Sequence, residues 1–248
     1  MQPRVLTFAL ILLLAGCGQP PEPQPIVNDS VPSTTQPPIN PVHSPDTPTE
    51  AKLREMGLVD ILEKDSTILV NLIYATSDNF TGQVLYTDLH KAFLLPELAD
   101  AVAAAQQSLH LSRPDLSLVI LDAARPLSVQ NRMFHLVQGT PLNIYVANPL
   151  HGPGLHNYGA AVDISLADSN GNLLPMGTEI DHFGPESHID RENELLTSGR
   201  ITQEEYDNRR LLRRVLKEQK LLTLRSEWWH FTLMSREKAR HTLKPINF

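Results

Sequence analysis

The placement of proline constrains this chain most. Ten of its 20 prolines lie between Pro20 and Pro48. Each proline fixes its own φ, lacks an amide donor and pushes the preceding residue out of helical geometry. The same window, residues 18–50, also holds Ser, Thr, Gln and Asn and contains no Phe, Tyr or Trp. Such a stretch cannot bury enough apolar surface to offset its ordering entropy. Residues 17–50 therefore read as an extended, partly polyproline tether. The alternative is an N-terminal arm packed against a folded body. Folding is left to residues 51–248, the length of one domain.

A targeting segment precedes the tether. Met1 to Arg4 supplies a positive start, and residues 5–14 form an apolar run too short to span a bilayer as a helix. The run ends in Leu14-Ala15-Gly16-Cys17, which resembles the lipobox of bacterial lipoproteins. That resemblance implies a signal peptide over residues 1–16 and lipid on the Cys17 thiol, and Cys17 is the chain's single cysteine. The alternative is an ordinary secretory signal with a chance cysteine. Two or more acyl chains give stable anchoring in a membrane. Gly18, not Asp, follows the cysteine, as in lipoproteins of enteric bacteria sorted to the outer membrane. The expected location is the cell envelope, extracytoplasmic, on the periplasmic face of the outer membrane in a Gram-negative cell. A lone cysteine excludes an intrachain disulfide framework and any Cys-rich zinc module. A net charge of −7 argues against nucleic acid as a partner. Nothing in the sequence sets the oligomeric state.

Within the domain, β-rich residues 66–76 read as a strand. Residues 89–109 read as a helix with Pro96 in its first turn. Residues 116–122 read as a buried strand stopped by Pro126, and residues 128–138 as a helix. Residues 143–158 carry Gly, Pro and Asn and read as loop. In the strand predicted over residues 160–166, Val162, Ile164 and Leu166 point one way and Ala161, Asp163 and Ser165 the other. A turn at residues 169–172 leads into Leu173-Leu174. Residues 202–220 read as an amphipathic helix with a capping pattern at Thr202 and Glu205. Its run Arg209-Arg210, Arg213-Arg214 reads as a solvated face. Residues 228–233 read as a final strand. Strands and helices do not alternate strictly, so the expected class is α+β, one domain with a central antiparallel sheet flanked by helices.

Two segments carry chemistry. In His156-Asn157-Tyr158-Gly159-Ala160-Ala161-Val162-Asp163, a Gly-rich loop delivers a histidine into a strand that holds an aspartate. An Asp between Val162 and Ile164 is expensive to bury unless it is paired or binds a metal. His156 and Asp163 together suit a zinc site, provided the loop before Gly159 turns His156 back. In Glu227-Trp228-Trp229-His230-Phe231, the histidine reads either as a core residue or as a third ligand. Two His and one carboxylate leave a fourth position open, as in catalytic zinc sites. Glu227 beside it suits a general acid/base.

These segments, His156-x-x-Gly159-x-Ala161-x-Asp163 and Glu227-Trp228-Trp229-His230, resemble the zinc D-Ala-D-Ala peptidases. The likeness is nearest to the VanX-type D-alanyl-D-alanine dipeptidases. Tyr74-Ala75-Thr76-x-Asp78-Asn79-Phe80-Thr81-Gly82, Asp122-Ala123-Ala124-Arg125-Pro126, Leu174-Pro175-Met176-Gly177, Asp181, Ser187-His188 and Asn208-Arg209-Arg210-Leu211-Leu212 extend the likeness. It implies one zinc ion held by His156, Asp163 and His230, and Glu227 as general acid/base. It implies Arg125 as the oxyanion stabiliser; by itself Arg125 reads as an ion pair at a strand end. It also implies Asp181 as partner of the substrate ammonium, with Tyr74 lining the same pocket. The implied reaction is hydrolysis of D-Ala-D-Ala, or a related small D,D-dipeptide, in peptidoglycan metabolism.

One position departs. Gly154 stands where that family has a serine two residues before the first histidine, which puts substrate preference in question. Two other readings therefore stand beside the dipeptidase. One is a carboxypeptidase trimming longer stem peptides. The other is a zinc-containing, non-catalytic wall-binding lipoprotein, which would need neither Glu227 nor Arg125. His90, His110, His135, His151, His182, His188 and His241 read as surface or packing residues, His188 being the one most able to act as a stray ligand.

Overall fold

The computed structural model describes residues 44–144 and 146–248. The signal segment 1–16, Cys17 and the tether as far as residue 43 lie outside the described residues. The remainder of the expected tether includes the start of the first helix, α1 (Pro48–Glu55). Thr47 caps it in a reciprocal capping box with Glu50, and Pro48 occupies the first turn, where its missing amide costs nothing. Glu50 is also buried, accepting from the backbone amides of His90 and Lys91 at 2.8 and 3.1 Å. The folded body therefore begins a few residues before Ala51.

The chain continues through β1 (Val59–Asp60), β2 (Leu69–Val70), β3 (Phe93–Leu94), α2 (Pro96–Ser112), β4 (Leu116–Asp122) and α3 (Leu127–Val137). It then forms β5 (Ala161–Asp168), α4 (Glu192–Thr197), α5 (Gln203–Glu218), β6 (Leu222–Leu224), β7 (Glu227–Thr232) and α6 (Arg236–Thr242). Five strands make one sheet in the order β2-β4-β5-β7-β6, and β1 pairs with β3 in a small second sheet. In the main sheet only β2 and β4 run parallel; the other pairs are antiparallel. This is the expected α+β arrangement of sheet and flanking helices.

Two predicted elements are shorter. Of residues 66–76, only Leu69–Val70 pair in the sheet; a 3-10 turn at Ile73–Ala75 then buries Tyr74. The Tyr74 carbonyl accepts from the amides of Leu85 and Tyr86, which fixes that turn. The helix predicted from residue 89 starts at Pro96 instead, because Phe93–Leu94 pair with β1. In and just before the predicted loop lie short 3-10 turns at Pro141–Ile144, Pro149–His151 and His156–Tyr158.

Val162, Ile164 and Leu166 pack in one core with Leu98, Val102 and Leu109 of α2 and Leu212 and Leu216 of α5. The opposite sheet face is also closed: Val119, Leu121 and Ala167 pack with Leu69, Ile73, Leu173 and Ile180. β5 is therefore buried throughout its first seven residues, and its polar face forms the floor of a site and not a solvated surface.

The basic run on α5 is solvated only in part: Arg210 and Arg214 are exposed, and the other two arginines turn inward. Arg209 is 1% exposed, and Arg213 pairs with the buried Glu192. Carbonyls and a carboxylate turned toward α5 capture these guanidinium groups. That arrangement depends on chain segments distant in sequence. No helix among the described residues is long and apolar enough to cross a membrane.

Candidate metal centre and active site

β5 and β7 pair so that Asp163 stands directly opposite His230. Opposed residues of an antiparallel pair project from the same sheet face. His230 Nδ1 lies 2.9 Å from Asp163 Oδ1. His156 arrives from the 3-10 turn His156–Tyr158, which ends at Gly159 in the left-handed region (φ 66°). A side chain there would be strained, and its Cβ would fall 2.5 Å from Leu58 Cδ2. This reversal brings His156 Nε2 to 3.2 Å from His230 Nδ1 and 3.4 Å from Asp163 Oδ2.

His156, Asp163 and His230 are the described residues whose ligand atoms gather in a group fit to hold a metal, all within 4.8 Å of one another. Neighbouring ligands of a four-coordinate ion with bonds near 2.1 Å lie about 3.4 Å apart. The spacings of 2.9 to 3.4 Å therefore suit such an ion. His156 Nδ1 donates to the Ala123 carbonyl at 2.8 Å. A carbonyl can only accept, so the proton sits on Nδ1 and the Nε2 lone pair faces the group.

A bulge in β4 adds a second carboxylate. Ile120 pairs with Ile164, but Asp122 pairs with Asp163, so Leu121 is the extra residue. The bulge turns Asp122 onto the face that holds Asp163. Asp122 is fully buried and lies 3.5 Å from His156 Nδ1. Its Oδ2 accepts from Arg125 Nε and Nη2 at 3.1 and 2.5 Å, and its Oδ1 accepts from the Tyr86 hydroxyl. Arg125 Nη1 donates to Gln130 Oε1 at 2.9 Å. Asn157 ties the two segments together, donating to the Arg125 carbonyl at 2.8 Å and accepting from the Gly154 amide.

The acidic and basic groups of the site shift one another's ionisation. Burial opposes ionisation of Asp163, but His156 and His230 outweigh it and hold the carboxyl well below its ordinary range. Burial likewise opposes a charged His156, yet Asp163 and Asp122 raise its pKa. Arg125 is also held in its charged form, with the Asp122 carboxylate outweighing burial.

Glu227 begins β7, and its Oε2 lies 3.9 Å from His230 Nδ1. Burial raises its pKa. Tyr74 joins the other groups by two contacts. Its ring lies 5.1 Å from the Arg125 guanidinium, and its hydroxyl donates to Asp181 Oδ2 at 2.6 Å. Burial lifts Asp181 to a pKa of about 7, despite the Tyr74 hydrogen bond that lowers it. Asp181 has a positive φ of 58°, a conformation that Asp tolerates better than most residues.

The structure thus brings together His156, Asp163, His230 and Glu227, with Arg125, Tyr74 and Asp181 linked around them. Cys17 lies outside the described residues. Among the other histidines, His188 lies 3.7 Å from Asp190 and takes no part in the metal group. Sequence reasoning assigned no role to Asp122, Asn157 or Arg209. The first two follow or precede predicted site residues closely, but their contacts depend on the bulge and on a turn. Gly154 has room for a side chain: a Cβ would make an ordinary 3.6 Å contact with Asn157.

The profile of the Peptidase M15 family, described as D-Ala-D-Ala dipeptidase, matches residues 54–245. A D-alanyl-D-alanine dipeptidase of Escherichia coli (strain K12) is 32% identical over 181 residues, covering 71% of this chain and 84% of the relative. Dipeptidases of the same name from Enterococcus faecalis (strain ATCC 700802 / V583) and Enterococcus faecium are each 26% identical over 180 residues. They cover 65% and 64% of this chain, respectively, and 83% of each relative.

Proposed function

This chain belongs to the D-Ala-D-Ala dipeptidase family of M15 peptidases, and we propose that it hydrolyses D-alanyl-D-alanine, or a closely similar D,D-dipeptide, to free amino acids in peptidoglycan metabolism. The observation that carries this reading is the position of Glu227, 3.9 Å from His230 and beside the group formed by His156, Asp163 and His230.

His156, Asp163 and His230 would hold a zinc ion, which suits two imidazoles and one carboxylate. When bound, zinc supplies a Lewis acid for the scissile carbonyl and lowers the pKa of water. Glu227 takes the proton of the attacking water and returns it to the departing amine, a role favoured by its raised pKa. Arg125, locked on Asp122 and Gln130, presents a fixed positive charge to the developing oxyanion. Asp181, oriented by Tyr74, pairs with the substrate ammonium. Anchoring that amine at a set distance from the scissile bond favours a dipeptide over a longer chain.

We also propose that lipid on Cys17 holds the enzyme at the cell envelope. The support is the apolar run ending in Leu14-Ala15-Gly16-Cys17 and the proline-rich tether that follows. Labelling cells with radioactive palmitate tests this: the chain takes up label and Cys17→Ser does not.

For the reaction, the full chain loaded with zinc is incubated with D-Ala-D-Ala, L-Ala-L-Ala and a pentapeptide ending in D-Ala-D-Ala. Free alanine from the D,D-dipeptide, absent with Glu227→Gln, is the expected result. Release chiefly from the pentapeptide would make the enzyme a carboxypeptidase. No release from any substrate, with zinc bound, would leave a non-catalytic wall-binding protein.

A further inference from the structure

Arg209 is among the largest fully buried side chains of the described residues, at 1% exposure. Its hydrogen bonds reach no carboxylate. Nε donates to the Met176 carbonyl and Nη1 to the Glu186 carbonyl at 2.8 Å, while Nη2 has no hydrogen-bond partner. A buried guanidinium satisfied only in part by carbonyls is costly, and an apolar side chain of similar size would fill the space without that penalty. Stability alone therefore does not account for an arginine here.

The two carbonyls it grips lie on either side of Asp181, which is midway between Met176 and Glu186 in the chain. Other contacts fix the same loop. Asn208, the preceding residue on α5, donates to the Pro175 carbonyl at 2.9 Å. Trp228, adjacent to Glu227, donates from Nε1 to Thr178 Oγ1 at 2.8 Å, and its ring lies 5.8 Å from the Arg209 guanidinium. Ser187 closes the loop internally by donating to the His182 carbonyl at 2.7 Å. Gly177 allows this close fit, since a Cβ there would fall 2.8 Å from Ile201 and 3.2 Å from Arg209 Nη2.

We propose that Arg209 is a positioning residue for substrate: by clamping both stems of the Met176–Glu186 loop, it sets where the Asp181 carboxylate meets the substrate ammonium. This inference rests on the reading of Asp181 as the ammonium anchor. The planar fork of arginine reaches two carbonyls from one position, whereas lysine is a point donor and cannot hold both stems in one geometry.

The test measures kcat, KM and bound zinc for the full chain, Arg209→Met, Arg209→Lys, Asp181→Asn and the double variant Arg209→Lys/Asp181→Asn, all with D-Ala-D-Ala. Displacement of the anchor by about an ångström predicts a rise in KM of about 10- to 100-fold in Arg209→Lys, with kcat changed much less and zinc unchanged. Arg209→Met is expected to match or exceed it, and if that variant fails to fold, Arg209→Lys decides. The double variant is expected to be no worse than Asp181→Asn alone, because both substitutions remove the same interaction. A merely structural role would instead add its cost to the Asp181→Asn background. Additive losses, or an unchanged KM in Arg209→Lys while Asp181→Asn raises KM, would overturn the role of Arg209 alone. An unchanged KM in Asp181→Asn would overturn the ammonium-anchor reading and this inference with it.

Discussion

His230 faces Asp163 across the β5–β7 ladder, with Nδ1 2.9 Å from Oδ1. The pairing register alone makes these two residues neighbours, and a slip of one residue would send one of them to the helix-covered face. Asp163→Asn keeps the shape and removes the charge. The variant should lose metal by more than the roughly 10- to 100-fold that removal of an outer-shell partner costs. Metal content after dialysis, measured by atomic emission, checks this.

Glu227 touches the metal group without belonging to it. Glu227→Gln should therefore keep its metal and lose about 100- to 10,000-fold in kcat, the usual scale for a general acid/base. Loss of metal together with activity would place Glu227 among the ligands instead.

Asp122 is fully buried and holds Arg125 through two donors. Asp122→Ala leaves that guanidinium without its counter-charge, and breaking a buried pair in this way costs about 3–5 kcal/mol. Thermal unfolding should show a large drop in Tm. Arg125→Met with Asp122→Leu, which removes both charges, should recover much of it.

Asp181, proposed above to anchor the substrate ammonium, should give activity and stability opposite pH trends. Its folded pKa of about 7 lies above the unfolded 3.8, so the folded state binds the extra proton between those values. This contribution to stability is complete below pH 3.8 and is lost as pH rises through 7. Binding of an ammonium needs the carboxylate, so substrate affinity should rise through the same range. It should fall again as the substrate amine loses its proton near pH ~8. KM against pH checks this, and in Asp181→Asn the dependence near pH 7 should disappear.

Chain order and local chemistry made much of this legible in advance. Proline density set the expected start of the folded body at Ala51, but Pro48 already starts a helix because a first turn needs no amide from it. The strand periodicity of residues 161–166 placed Asp163 opposite Val162 and Ile164 in facing, and Gly159 marked the turn that returns His156. The capping pattern at Thr202 and Glu205 located α5. These are short-range signals, set by steric limits and hydrogen bonds within a few residues.

Tertiary structure decided the rest. The bulge at Leu121 turns Asp122 toward His156, and no local pattern in β4 announces it. The contact of Tyr74 with Asp181 joins segments 107 residues apart. Arg209 lies in a run of arginines that local charge rules assign to solvent, yet the Met176 and Glu186 carbonyls draw it inside. The sequence by itself determined which residue types are available for chemistry and which turns are possible. Only the folded sheet and the loop packed on it decided which charges meet, because partners brought together by long-range pairing leave no mark on the residues beside them.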